Sequence, residues 1–309
     1  MTALESLLET FDVCGLVRSP APEDDVSALA NDVGTELSHD TSISGVNSFI
    51  ARHRPEAVVV SSFHRILPEK MLGALPFVNV HYAPLPRYRG RATVNWAIIN
   101  GELSTAISIH DLAPRLDAGG ILFQQHVAIS DTDTAATLYA RLNTIQRAEL
   151  GKAVHRRLEG DMGVPQDDSK ATYVCARLPQ DGEIDWSQPA ESIHRLVRAL
   201  VYPFPGAFTW LGNRQLTVKH CEVVTDFVYE GRVPGRVVHV DRQNGAVDVL
   251  AGDRIVRLLN IESEGRDAAP AEIIHSTRAT LGTPAAAAVA PPGISEGAAF
   301  TEVQEGIVR

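Results

Sequence analysis

The chain has 309 residues, of which 44% are hydrophobic, and its formal net charge is −10. A chain of this length and apolar content can bury a sizeable core, and two folded domains with a tail are expected. No stretch is apolar for long enough to cross a bilayer, and the first residues lack a charged-then-apolar signal pattern. We therefore expect a soluble, cytoplasmic protein that makes no membrane contact. The negative charge also disfavours a general nucleic-acid-binding surface.

The first half of the chain alternates strands with helices. The pattern predicts, in order, a helix at 2–9, strands at 11–17 and 56–62, a helix at 68–75, a strand at 77–81, a helix at 93–100, strands at 106–110 and 121–129, and a helix at 133–158. Such alternation predicts an α/β domain over residues 1–160, with a mainly parallel sheet covered on both faces.

The second half has a different pattern. Residues 161–182 are polar and contain Gly, Pro and paired Asp, so they are interpreted as a linker. One helix at 189–200 precedes five short alternating segments at 206–212, 215–224, 233–241, 245–250 and 253–261. These predict a small β-barrel or sandwich over residues 183–282. Residues 283–309 are rich in Ala, Pro, Gly and Glu and are predicted to be a disordered tail.

The stretch from Phe77 to Arg91 carries the chemistry. Asn79 and His81 are two apart, so on a strand they point the same way at its C-terminal end, where open α/β sheets bind ligands. Asn79 can donate from its amide, and His81 can exchange a proton near neutral pH. Asp117, in a glycine-containing loop between two predicted strands, could orient or charge the imidazole. Together they supply what acyl transfer needs, although each residue alone is more commonly structural.

The residues from Asn79 to Gly90 are similar to the Asn-x-His-x-x-x-Leu-Pro-x-x-x-Gly signature of the 10-formyltetrahydrofolate-dependent formyltransferases. Asp117 stands where that family has its catalytic aspartate. The segments 95–102, 181–186 and 203–208 also resemble the family, so the similarity runs to about residue 265. The resemblance implies a Rossmann-like catalytic domain with mainly parallel sheet, followed by a small, OB-like barrel. It also implies that Asn79, His81 and Asp117 are catalytic.

The resemblance further implies that 10-formyltetrahydrofolate is the formyl donor and lies beside the loop after the second strand. The implied folate-binding residues are Phe63, His64, Arg65, Ile66, Leu67, Arg115 and Leu116. Ile66 and Leu67 could sandwich a flat pterin, while the alternative for this loop is an ordinary helix start with Pro68 in the first turn.

A basic cluster follows the catalytic strand. Arg87, Arg89 and Arg91 suit phosphate or carboxylate, and with Tyr82 they are candidate substrate-binding residues. Solvated surface charge is the alternative interpretation. No metal site is predicted, because the histidines lack metal-ligand spacing and the three cysteines are far apart.

Two features depart from the family pattern. Family members open with a strand before the helix that we place at 2–9, so we expect either that this strand is missing or that another segment fills its place. The residues from Tyr82 to Pro84 replace the family's Pro-Ser-Leu or Gly-Ser-Leu, which affects the acceptor pocket more than the formyl chemistry.

The acceptor is expected to be a small-molecule amine. Residues 19–51 contain no Lys or Arg and are acidic, where the tRNA-acting relatives are expected to carry a basic insertion. We favour a nucleotide-linked amino sugar, followed by an amino-acid-derived, hydroxyornithine-type siderophore precursor. Methionyl-tRNA formylation, 10-formyltetrahydrofolate hydrolysis and non-catalytic folate binding are the alternatives. The oligomeric state is left open, a dimer included.

Overall fold

The structure is a computed structural model that describes residues 1–20, 24–63, 65–282 and 305–308. The first part contains α1 (Thr2–Leu8), β1 (Gly15–Val17), α2 (Asp25–Asp32), β2 (Glu36–Ser38), α3 (Ile43–His53), β3 (Ala57–Ser61), α4 (Glu69–Leu72), β4 (Phe77–His81), β5 (Arg89–Gly90), α5 (Thr93–Ile99), β6 (Ser104–Asp111), β7 (Ile121–Ala128) and α6 (Ala135–Leu158). The remainder contains β8 (Tyr173–Val174), α7 (Ala190–Ala199), β9 (Ala207–Leu211), β10 (Arg214–Val224), β11 (Val237–Val240), β12 (Val247–Leu250), β13 (Ile255–Ser263), β14 (Arg266–Ala268), α8 (Pro270–Ile273) and β15 (Glu305–Val308).

The first sheet of the described chain has seven strands in the order β2-β1-β15-β3-β4-β6-β7. Only β1 with β2 and β3 with β4 are parallel, and the other four pairings are antiparallel. The expectation of a mainly parallel sheet is therefore wrong, and the sheet is mixed. Part of the reason is local: β6 and β7 are joined by the loop 112–120, which is too short for a parallel crossover.

The backbone of β15 lies between β1 and β3 and pairs antiparallel with both. It occupies the place in the sheet where the family resemblance led us to expect either a gap or a substitute segment. Residues 305–308 of the predicted disordered tail are thus a strand, and the rest of that tail lies outside the described residues.

The region before β3 is more regular than its sequence indicated. No helix or strand is predicted between residues 17 and 56, yet α2, β2 and α3 form here. Asp24 caps α2 by accepting a hydrogen bond from the backbone of Ser27, and it also receives two from the guanidinium of Arg18. This arginine lowers the pKa of Asp24 to about 2, so part of the acidic character is neutralised within the fold.

A long helix and a short one pack against each other over one face of the first sheet. The threonine Thr134 caps α6 through a reciprocal bond with Thr137, and α1 packs against α6 through the buried Leu4 and Leu7. Beyond them, α5 packs against α7, and one buried apolar cluster includes residues from both halves of the chain. This continuous core positions the second half beside the end of β4.

The second sheet has the order β11-β12-β13-β10-β9, and β14 pairs with β13. The predicted helix and all five predicted strands are confirmed within a few residues. All described pairings in this sheet are antiparallel, and none of them joins β9 to β11, the two ends of the strand order. The sheet is therefore open along the described chain, and the expected OB-like barrel is not confirmed.

Candidate active site

The site forms where β4 ends and the chain turns towards α5. Asn79 and His81 both lie on β4 and are 8% and 7% exposed, so they are nearly buried yet line a cleft. Strand β4 is central and pairs with β3 on one side and β6 on the other. Its backbone is therefore fixed on both sides, which restricts where these two side chains can lie.

Asp117 reaches the same point from the loop between β6 and β7. Its Oδ2 accepts a hydrogen bond of 2.9 Å from the backbone N–H of Gly90 and lies 3.8 Å from Nδ1 of His81. Gly90 has a φ of 115°, and a Cβ there would come within 2.3 Å of the carbonyl oxygen of Val174, so the position requires glycine. The three residues predicted to be catalytic are therefore brought together.

The hydrogen bonds of His81 fix its ring. Nε2 lies 2.8 Å from the carbonyl oxygen of Tyr88, and because a carbonyl can only accept, Nε2 carries a hydrogen. Nδ1 is then the nitrogen that faces the carboxylate of Asp117. The distance of 3.8 Å is too long for a direct hydrogen bond but leaves Nδ1 within the field of the carboxylate.

Several backbone conformations around the site are unusual. Tyr88, Ala92 and Asp117 have φ values of 60°, 58° and 48°, in the left-handed region of the backbone. Residues other than glycine are uncommon in this region, although Asn and Asp enter it more often than the rest. Each such residue costs free energy that the surrounding contacts must offset, and such residues cluster at functional sites. Here they turn the chain after β4 and aim the Asp117 loop at His81.

Residues of the predicted linker hold the Asp117 loop in place. The side-chain amide of Gln166 donates hydrogen bonds of 2.8 Å to the carbonyl oxygens of both Asp117 and Gly119. Its Oε1 accepts from the guanidinium of Arg89, which also pairs with Asp168 at 2.8 Å. The segment between the two halves is thus part of the site's support, and β8 within it pairs with β5.

A cleft of about 640 Å³ opens beside Asn79, His81 and Asp117. On one side it is lined by most of the predicted folate-binding residues, namely Phe63, Arg65, Ile66, Leu67, Arg115 and Leu116. His64 lies outside the described residues. Ile66 is 79% exposed and Leu116 is 49% exposed, so this side presents apolar surface suited to a flat ring.

The predicted substrate-binding residues divide into two groups. Tyr82 and Arg91 line the cleft. The other two arginines do not line the cleft. Arg89 is fully buried among Gln166, Asp168 and Tyr173. Arg87 forms an ion pair of 2.6 Å with Glu102. Arg89 is thus held in the interior by its ion pair with Asp168, whereas Arg87 is held by Glu102 and only Arg91 faces the cleft. The three arginines therefore do not form the single basic cluster that we predicted.

The second side of the cleft includes residues that the sequence did not single out. Tyr139 and Asn143 on α6 line it, with Phe204 from the segment after α7. The hydroxyl of Tyr82 donates a hydrogen bond of 2.6 Å to Oδ1 of Asn143 and also contacts Oε1 of Gln146. Burial raises the pKa of Tyr82, so this hydroxyl remains a neutral donor. The i, i+4 and i+7 spacing of Tyr139, Asn143 and Gln146, which places them on one face of α6, was the available sequence signal.

A further residue, His110 on β6, was also missed. It lies directly across from Asn79 in the β4–β6 register, and the amide nitrogen of Asn79 is 3.0 Å from its Nε2. Its Nδ1 lies 2.8 Å from the carbonyl oxygen of Asp111. Complete burial lowers the pKa of His110 to about 4, opposed mainly by the charge of Asp117. The imidazole is therefore neutral at neutral pH.

Comparison with known proteins identifies the family. Residues 12–154 match the formyl transferase family, and residues 178–278 match the formyl transferase C-terminal domain. The chain belongs to the formyl transferase family.

Solved structures of several other proteins share the fold. HypX from Aquifex aeolicus in complex with tetrahydrofolic acid is 17% identical with a TM-score of 0.61, and the match covers 83% of this chain and 46% of HypX. A methionyl-tRNA formyltransferase from Clostridium thermocellum is 20% identical with a TM-score of 0.52, covering 63% of this chain and 86% of that protein. WlaRD, a sugar 3N-formyl transferase solved in the presence of dTDP and 5-N-formyl-THF, is 16% identical with a TM-score of 0.58. The match covers 86% of this chain and 94% of WlaRD. The chain thus spans less than half the length of HypX.

Neither a candidate membrane span nor a candidate metal site occurs among the described residues. No helix among them is both long and apolar enough to cross a membrane. Across the same residues, no group of three or more His, Cys, Asp or Glu side chains could hold a metal ion.

The loop support predicts a stability effect. In a Gln166→Leu variant, the carbonyl oxygens of Asp117 and Gly119 lose their donor and Arg89 loses an acceptor. We expect the free energy of unfolding, measured in urea, to fall by about 2 kcal/mol or more. The matched control is Gln243→Leu at an exposed turn, where a change within about 0.5 kcal/mol is expected. Equal effects at both positions would contradict the role of Gln166.

The buried imidazole predicts a pH effect. The pKa of His110 is about 4 when folded and about 6.5 when unfolded, so between these values the unfolded chain binds the extra proton. Stability from this group is complete above pH 6.5 and falls as the pH drops towards 4, by an amount on the order of 3 kcal/mol. The advantage of wild type over His110→Gln in urea unfolding should therefore shrink between pH 7 and about pH 4.5. A difference that is independent of pH would contradict the neutral, buried state.

Proposed function

We propose that this formyl transferase family member transfers the formyl group of 10-formyltetrahydrofolate to the primary amine of a small molecule. The observation that carries the proposal is the convergence of an amide, an imidazole and a carboxylate at one point of a two-sided cleft. Asn79, His81 and Asp117 come from β4 and from the loop after β6, and local structure alone would not require them to meet. This set provides a donor, an acid/base and an orienting charge.

The folate side of the cleft fits the proposed donor. Ile66 and Leu116 expose large apolar surfaces that a flat pterin would cover, which removes apolar area from water. Arg65 and Arg115 line the same side and are suited to the carboxylates of a folate tail. Arg115 already pairs with Asp168 at 2.8 Å but is 65% exposed along its side chain, so its remaining N–H groups can reach a ligand.

The reaction requires one bond to form and one to break. The neutral amine nitrogen of the acceptor bonds to the formyl carbon, the carbonyl oxygen gains negative charge, and the bond from that carbon to N10 of the folate then breaks. An N–H of Asn79 stabilises the developing charge. His81 takes the proton from the attacking nitrogen at Nδ1, and Asp117 stabilises the imidazolium. The proton is passed on to N10 as it leaves, so the products are the formamide and tetrahydrofolate.

The acceptor side of the cleft supports a small amine. Tyr139 lies 5.7 Å from Tyr82 and 6.1 Å from Phe204, measured between ring centroids, so its ring neighbours two other aromatic rings. A nucleotide-linked amino sugar suits this surface because a base can lie on aromatic faces while the amine reaches Asn79. The net charge of −10 and the acidic residues 24–40 oppose a tRNA acceptor.

The assignment of the three residues is tested by substitution. Asn79→Ala, His81→Ala and Asp117→Ala are each expected to lower tetrahydrofolate formation by about 100-fold or more, because each removes a group that acts at the developing charge. The control is Asn213→Ala, at an exposed turn between β9 and β10, which should retain normal turnover. Near-normal turnover in all three alanine variants would refute the assignment.

The acceptor class is tested by a screen with tetrahydrofolate formation from 10-formyltetrahydrofolate as the readout. dTDP- and UDP-linked amino sugars, hydroxyornithine, initiator methionyl-tRNA and a reaction without amine are compared. We expect turnover with a nucleotide-linked amino sugar. Turnover that requires methionyl-tRNA, or formate release without any amine, would replace the proposal with tRNA formylation or with hydrolysis. Folate binding without turnover under any condition would refute an enzymatic role.

A further inference from the structure

His110 is a fully buried polar residue in contact with the proposed catalytic group Asn79. Strands β4 and β6 pair antiparallel so that these two residues are direct partners, and their side chains lie on the same face of the sheet. The distance from Nε2 of His110 to the amide nitrogen of Asn79 is 3.0 Å. The mechanism above uses Asn79 but gives His110 no role.

The hydrogen bonds of His110 determine its tautomer. Nδ1 lies 2.8 Å from the carbonyl oxygen of Asp111, which can only accept, so Nδ1 carries the hydrogen. In a neutral ring, Nε2 then has a lone pair and can only accept. Its partner must be a donor, and on Asn79 that is the amide nitrogen and not Oδ1.

The charged groups around His110 have opposite effects on its protonation. Asp117 from the loop after β6 brings Oδ1 to 3.9 Å from Nε2, which favours a protonated ring. His81 on β4, whose ring centre is 6.4 Å away, and the guanidinium of Arg89 near β5 disfavour it. Exclusion from water also disfavours the charge, and it is the largest effect.

We propose that His110 is a positioning residue: its unprotonated Nε2 fixes the Asn79 amide so that one N–H is bonded to His110 and the second remains available to the formyl oxygen. The inference rests on the proposed formyl transfer and concerns the same site. A protonated Nε2 would instead attract Oδ1 of Asn79 and turn the amide by half a rotation. A donor that is already oriented needs no rearrangement when the oxyanion develops, which is the condition for effective electrostatic stabilisation.

The tautomer is tested without any acceptor. Two-bond proton–nitrogen correlation spectra of the ¹⁵N-labelled protein distinguish the two imidazole tautomers, and the His110 signals are identified by their absence in His110→Gln. We expect a hydrogen on Nδ1, a bare Nε2 and no titration between about pH 5.5 and 8. A hydrogen on Nε2, or protonation of both nitrogens within that range, would overturn the proposal.

The positioning role is tested by kinetics with the amine that the screen above identifies. His110→Leu removes the acceptor and should lower kcat by about 100-fold, with KM for 10-formyltetrahydrofolate changed by less than about 2-fold. His110→Gln can present Oε1 near the position of Nε2, and its kcat should stay within about 5-fold of wild type. A folded His110→Gln variant whose kcat falls by about 100-fold would overturn the proposal. This criterion does not need the Leu variant, so it holds even if that variant fails to fold.

A double-mutant cycle separates action through Asn79 from a general structural effect. In an Asn79→Ala background, the further change His110→Leu should lower kcat by no more than about 2-fold, because the group that it positions is already absent. A full additional loss of about 100-fold would show that His110 acts by another route. Failure of the wild-type protein to transfer formyl to any amine would refute the proposed function, while the tautomer measurement would still decide the geometry at His110.

Discussion

The hydrogen bond from the backbone N–H of Gly90 to the carboxylate of Asp117 joins the two loops that make the site. One loop follows β4 and the other follows β6, and the bond of 2.9 Å holds the carboxylate beside His81. It depends on a glycine, because the chain approaches the carbonyl of Val174 too closely for any side chain. The geometry of the site thus depends on the close approach of the Gly90 and Val174 backbones as well as on its reactive side chains.

The segment between the two halves of the chain contributes to the same arrangement. Gln166 satisfies two carbonyl oxygens in the Asp117 loop, and the buried Arg89 links Gln166 to Asp168. A guanidinium without exposure to water is costly unless it is paired and hydrogen-bonded, and here it is both. A change in the path of this segment would therefore change the position of the Asp117 loop.

The polar groups at the end of β4 form one connected network. His81 donates to Tyr88, His110 donates to Asp111 and accepts from Asn79, and both rings lie within 4 Å of the carboxylate of Asp117. A network of this kind in a nearly buried place is stable only when each member has its partner. The single negative charge of Asp117 is shared between two imidazoles that differ in burial, and only His81 lines the cleft.

The sequence by itself determined the local features of this protein. Alternation on β4 placed Asn79 and His81 on one face, and the position of Asp117 matched the family pattern. The strands of the second half were predicted because short segments with alternating polar and apolar residues are typical of strands. The helices and strand within 25–53 were missed because their apolar faces are short and interrupted by polar residues. These are properties of neighbouring residues.

Tertiary structure decided which distant residues meet. The register of β4 with β6 placed His110 opposite Asn79, and the packing of α6 brought Asn143 to Tyr82. Arg89, a predicted substrate-binding residue, is instead buried in an ion pair with Asp168. The placement of β15 between β1 and β3 added two antiparallel pairings to the sheet. None of these is encoded in a local pattern, because hydrogen-bond register, charge burial and helix packing depend on contacts between residues far apart in the chain.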